Sequence, residues 1–165
     1  MQMYEAVLVL HSYLRWLVLA LLIAVSVRSY LALRAGRGWL DSDDRLHSAL
    51  IQAFDTQMLL GLVLYLFLSP WSQVFLADTR HGLKDSTLRF FGLEHIAMML
   101  MALVVIHVAR VRSKRASTPL LRHRRVLRGT LLALVLVLVA VPWPGLPYGR
   151  PLFRGSDALE TEAAS

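Results

Sequence analysis

The sequence contains no cysteine. Disulfides, thiolate zinc sites, cysteine-ligated iron–sulfur clusters and covalent C-x-x-C-H haem attachment are therefore excluded. Charge is also scarce: 18% of the 165 residues are Asp, Glu, Lys or Arg, where a soluble domain carries about 25%. Acidic residues are the scarcer sign, 11 against 18 Lys and Arg, leaving a formal charge of +7. Against these shortages stand 56% hydrophobic residues and a mean hydropathy of +0.54. Such a composition excludes a disordered chain, and the length suits one domain.

A membrane-spanning helix needs about 20 mostly apolar residues. Four segments qualify, at residues 4–27, 47–69, 88–110 and 126–143. The fourth is the shortest, and its stretch Leu131–Val141 reaches spanning length only if Arg128 snorkels to the interface. The expected fold is all-α: an integral-membrane four-helix transmembrane bundle, one domain over residues 1–154, with 155–165 a flexible C-terminal tail. The first segment lacks a basic start and carries Arg15 in its middle, so it is expected to be a span and not a cleaved signal peptide.

Orientation follows from Lys and Arg. The first connector has Arg28, Arg34, Arg37 and Arg45, and the third runs from Arg110 through Arg112, Lys114, Arg115, Arg122, Arg124 and Arg125 to Arg128. The opposite side has only Arg80, Lys84 and Arg89, with Arg150 and Arg154 in the tail. The first and third connectors are therefore expected in the cytoplasm, and both termini in the periplasm, of a bacterial cytoplasmic membrane. The basic charge then reads as a topology signal with attraction to the lipid bilayer. No nucleic acid is expected as a partner, because no aromatic residues interleave the third connector's basic cluster.

Polar residues inside spans are costly and point to function. Span one has His11 and Arg15; span two has Gln52, Asp55, Thr56 and Gln57; span three has Glu94, His95 and His107. Span four has none after Thr130, so spans one to three are expected to enclose the site. His11 and His95 each lie about seven residues from the outer start of their spans, roughly 10 Å deep. Two imidazoles at one depth suit a non-covalent haem b as axial iron ligands. Gly92 and Ala102 on the His95 face, and Gly61 on span two, leave room for a macrocycle. Arg15 is placed to pair with a propionate or with Glu94. The same residues also allow a structural polar network, a metal-ion or proton-transfer site, or a quinone site.

His107 lies about 18 Å beyond His95, and only His47 shares its side, so the pair is read as structural. Asp55 is either a proton-relay carboxylate or a partner for Gln52 or a neighbouring helix. His81 and His123, in connectors, are expected to be solvated. Met99 shares the His95 face and is read chiefly as gap filling. Trp143 and Tyr148 are expected in the aromatic belt, with Arg150 and Arg154 as interfacial anchors that could also reach haem propionates.

Several stretches combine into a recognisable pattern. His11-Ser12-Tyr13-Leu14-Arg15-Trp16 opens it, and Gln57 precedes Leu60-Gly61-Leu62-Val63-Leu64-Tyr65, with Ser69-Pro70 beyond. Arg89-Phe90-Phe91-Gly92-Leu93-Glu94-His95 and Met98-Met99 follow, then Val141-Pro142-Trp143-Pro144. Up to about Arg154 the chain resembles small four-helix bacterial membrane proteins labelled "cytochrome b". That resemblance implies a b-type haem ligated by His11 and His95, with Arg15, Gln57 and Glu94 as companions. The expected task is electron relay in a membrane redox chain, between quinol and a redox-partner protein. No sequence element supplies a soluble catalytic domain, so the chain is expected to be a redox module, a subunit or a homo-oligomer and not a complete enzyme alone. The alternative is a non-haem membrane protein serving assembly, metal handling or proton transfer.

Overall fold

The structure, a computed structural model, describes residues 2–153. Met1, Arg154 and the tail expected at 155–165 lie outside the described residues. The described residues form helices α1 (Gln2–Arg34), α2 (Asp41–Val63), α3 (Pro70–Ala77), α4 (Thr79–Gly82), α5 (Ser86–Arg89), α6 (His95–Lys114) and α7 (Pro119–Ala140), with no strand among them. Two π-helical turns, Leu64–Leu68 and Phe90–Glu94, extend α2 and lead into α6.

Local chemistry sets the helix ends. α1 stops at Gly36, whose φ of +61° suits a residue without Cβ. There Arg37 N–H bonds to the Ala32 carbonyl at 2.9 Å, closing a Schellman motif. α2 opens with Asp41, Asp43 and Asp44 in its first turn, where carboxylates complement the helix dipole. Asp43 also accepts the Leu40 N–H at 2.8 Å, one half of a capping box. α7 starts with Pro119 in its first turn and Thr118 accepting the Leu121 N–H at 3.2 Å.

Three helical stretches are long and apolar enough to cross a membrane: Gln2–Arg34, Asp41–Leu68 and Ser86–Lys114. They contain the first three expected spans and overrun each at both ends, save the end of the second. α7 has 22 residues, but its first half holds Arg122, Arg124, Arg125 and Arg128. Exposed Leu17, Ile23, Leu59, Phe67, Val104 and Val139 give the outside the apolar surface that lipid contact requires.

α7 packs closely on both α1 and α6, and α1 packs on α2, whereas α2 and α6 touch far less. Leu22, Leu50, Ala102, Ile106, Val126 and Ala133 form the fully buried centre. A Cβ on Gly129 would lie 2.2 Å from Ala109 Cβ, so the glycine lets α6 and α7 approach. Ser26 donates to Thr130 at 2.7 Å, a buried bond between α1 and α7.

The basic ends of these helices are clasped together. Arg28 and Arg37 converge on buried Asp43, while Arg110 and Arg122 converge on Asp44 at 2.9 and 2.7 Å. Arg122 also lies 4.0 Å over the Trp39 ring. His123 corrects the expectation of a solvated connector residue: it is fully buried, 4.7 Å from Trp39. The reason is that α7 starts seven residues before the expected span, which carries His123 onto the packed face. His47 is buried as well, with Nδ1 3.3 Å from the Arg110 guanidinium.

Candidate functional site

A cavity of about 140 Å³ lies towards the opposite end. One stripe of α1 reaches it at three- and four-residue spacing: Leu8, His11, Arg15 and Val18. α2 contributes Phe54, Gln57 and Gly61 on the same kind of stripe, the π-helical turn Leu64–Leu68 contributes Tyr65, and α6 contributes His95 and Met99. α7 adds Val137 and Ala140, so the fourth long helix supplies an apolar wall.

The structure brings His11 and His95 together, with ring centroids 6.4 Å apart and planes at 66°. Each ring is oriented by a defined bond. His95 Nδ1 lies 2.8 Å from the Ala140 carbonyl. That carbonyl ends α7 and cannot be claimed four residues on, because Pro144 has no N–H. A carbonyl only accepts, so His95 Nδ1 carries the proton and Nε2 the lone pair. The Gln57 amide donates to the His11 carbonyl at 3.0 Å and faces His11 Nε2 at 3.2 Å. An amide nitrogen only donates, so His11 Nε2 also presents a lone pair. A Cβ on Gly61 would lie 3.2 Å from His11 Cε1, so only glycine leaves the ring in place without adjustment.

The outer mouth is cationic and aromatic. Arg15 donates to the Leu152 carbonyl at 2.9 Å, and Trp16 donates to the same oxygen at 3.3 Å. The segment after α7 thus folds back against the middle of α1, with Arg150 N–H bonded to the Pro142 carbonyl. Arg150 lines the cavity and lies 5.0 Å over Trp71 and 5.1 Å over Phe91. Tyr148 stacks on Phe90 at 3.8 Å.

Glu94 and Gly92 do not join this group. Glu94 pairs with Arg89 at 2.7 Å and not with Arg15. Gly92 is buried against Phe75, whose Cγ would lie 2.1 Å from a Cβ there, and its carbonyl accepts the Tyr65 hydroxyl at 2.9 Å. For Gly92 the cause is the π turn Phe90–Glu94, whose wider winding rotates it away from the face that a regular α-helix would share with His95; Glu94, next to His95 in the chain, lies about 100° around the helix from it even in a regular winding. Tyr65 and Trp71 are lining residues that the polar inventory passed over. Tyr65 was findable on the Gln57–Gly61 stripe, whereas Trp71 arrives on the short α3, which no periodicity announces.

Outside the cavity, Asp55 and His107 meet at 3.4 Å, each side chain 45% exposed, and His107 Nδ1 bonds back to the Leu103 carbonyl. Asp55 therefore takes a partner on a neighbouring helix. Among the described residues no cluster of three or more His, Cys, Asp or Glu could hold a bare metal ion.

No family model, curated protein or solved structure matches the chain.

Proposed function

We propose that the chain is a four-helix transmembrane protein with both termini periplasmic, and that it holds one b-type haem between His11 and His95 to relay electrons in a membrane redox chain. The observation that carries this reading is the pair of imidazoles with centroids 6.4 Å apart, where a bound iron would take the His11 Nε2 lone pair in place of the Gln57 amide. A metal–nitrogen bond of about 2 Å on each side, plus about 1 Å from each nitrogen to its ring centre, makes about 6 Å across a shared ion. The donor set fits the group in two further ways. His95 has the carbonyl partner on Nδ1 that orients ligating histidines. Arg15 and Arg150 line the same cavity as cations suited to carboxylates.

Held there by His11 and His95, the group would supply one-electron chemistry. The chain's own residues orient and insulate. Ala140 holds the His95 ring, Gln57 holds the α1 backbone at His11, and Phe54, Met99 and Val137 keep water from the centre. The resemblance to proteins labelled "cytochrome b" supports the same reading.

The test is a reduced-minus-oxidised visible spectrum of protein expressed with ample haem. A b-type α-band that is lost or turned high-spin in both His11→Ala and His95→Ala is expected. No band, or a six-coordinate spectrum surviving both substitutions, defeats the proposal.

The cavity's size favours a second reading, a quinone head group. A dry cavity of about 150 Å³ holds a benzene ring, close to the 140 Å³ here. Gln57 and Arg15 could donate to its carbonyls, and His11 Nε2 could accept a quinol proton. Competition between a ubiquinone analogue and a bound fluorescent quinone, without any haem band, would select this reading.

A further inference from the structure

An open groove of about 590 Å³ runs between α6 and α7 near their basic ends, apart from the histidine cavity. Its walls are apolar: Val104 and Val108 on α6 and Leu132 on α7, all well exposed. Its rim is cationic: Arg112 from α6, and Arg124, Arg125 and Arg128 from α7. The i, i+4 and i+8 spacing of Val104, Val108 and Arg112 makes one line along α6, from grease to charge. α7 runs the opposite way and brings Arg128 and Arg124 beside that line, with Gly129 drawing the helices together at the floor.

The arginines differ from their neighbours in one respect. At this end Asp43 and Asp44 already serve Arg28, Arg37, Arg110 and Arg122. Among the described residues no carboxylate lies in ion-pair range of Arg112, Arg124, Arg125 or Arg128, and no acidic side chain lines the groove. Arg125 donates to the Arg112 carbonyl, which ties the rim across the two helices. Uncompensated guanidinium groups at the end of an apolar trough call for an anion with a hydrocarbon tail. Basic pockets between helices at a membrane face recognise phospholipid headgroups in this way.

We propose that the α6–α7 groove is a specific site for an anionic phospholipid, its phosphate among Arg112, Arg124 and Arg128 and one acyl chain along Val108, Val104 and Leu132. The site depends on the membrane reading of the helices and is independent of any haem.

The test counts lipids bound to the detergent-solubilised full chain by native mass spectrometry, titrating palmitoyl-oleoyl phosphatidylglycerol or phosphatidylcholine. The first phosphatidylglycerol is expected to bind at least tenfold tighter than the first phosphatidylcholine. Arg124→Gln with Arg128→Gln should weaken phosphatidylglycerol by about thirty-fold, given the usual contribution of an arginine near an anionic headgroup. Arg34→Gln with Arg45→Gln removes the same charge from the other basic connector and should stay within threefold. Val108→Trp fills the trough without touching charge and should weaken phosphatidylglycerol at least tenfold. Equal losses in the two arginine doubles, no effect of Val108→Trp, or displacement of the lipid by millimolar inorganic phosphate would each overturn the proposal.

Discussion

Gly92 and Gly61 show how differently two glycines constrain one region. A methyl at Gly92 would collide with the Phe75 ring at 2.1–2.5 Å, and Gly82 confines that ring from another side. The ring has nowhere to go, so Gly92→Ala should cost about 1–3 kcal/mol, the range for overpacking. Thermal melts in detergent would show it, and Phe75→Leu in the same chain should recover part of the loss. At Gly61 the nearest atom is His11 Cε1 at 3.2 Å. Gly61→Ala should leave the melting temperature within about 2 °C yet shift the bound-cofactor spectrum through His11, whereas an unchanged spectrum would show that His11 is not held by this contact.

His123 contributes to the pH dependence of stability. Burial pushes its pKa below the usual value; the Gly38 carbonyl and Asp43 act upward, and Arg37 and Arg122 downward. The folded state therefore binds this proton less readily than the unfolded chain, whose histidine titrates near 6.5. The stability it confers is complete above about pH 6.5 and drains away as pH falls towards the folded value. Denaturation followed from pH 7.5 to 5 should show declining stability, and His123→Gln should flatten that decline. An identical slope in the variant would mean another group titrates. Asp43 belongs to the same clasp: it is 5% exposed and meets two guanidinium groups. Asp43→Ala removes the partner the two share, leaving Arg28 on the Ser42 hydroxyl and Arg37 on the Gly38 carbonyl, and should lower stability in the same denaturation experiment.

At the scale of helices, the sequence showed the apolar stretches but not where helix and membrane part company. Hydropathy marks the greasy length, while capping marks the helix: α1 runs to Arg34, seven residues beyond the expected end at Val27, with Gly36 closing it, and Thr118–Pro119 starts α7 well ahead of Val126. The meeting of His11 and His95 was legible because both sit at about the same distance from the same face, even though a π turn immediately precedes His95. Gln57 was legible too, as a polar residue on the stripe that carries Gly61. Gly92 was misplaced because a π turn is invisible to a 3.6-residue period, and Glu94 because Arg89 on the same segment pairs with it. That turn has a structural partner in the Tyr65–Gly92 bond, which ties the two π-helical segments together. Tyr65→Phe should lower stability by about 1 kcal/mol and loosen the outer end. Hydrogen exchange at 64–68 and 90–94 should rise together, and a rise in only one segment would show that the bond does not couple them.

At the scale of the whole molecule, the two ends divide their labour. One end is a clasp of arginines on Asp43 and Asp44, with further arginines left over; the other holds the histidine cavity under the returning Leu152 segment. The charge difference between the ends decides how such a molecule would insert, because arginine-rich connectors resist translocation. On the proposed orientation, with the first and third connectors cytoplasmic, the cavity would face the periplasmic leaflet and the basic groove the leaflet that presents anionic lipid to the cytoplasm. A reporter active only in the periplasm should therefore work when fused at Ser165 and fail when inserted at Ser117. Replacing Arg112, Arg124, Arg125 and Arg128 by Gln should weaken that asymmetry, since it cuts the basic residues of those two connectors from twelve to eight. Activity of the Ser117 insertion in the unaltered chain would invert the molecule, placing the histidine cavity on the cytoplasmic side.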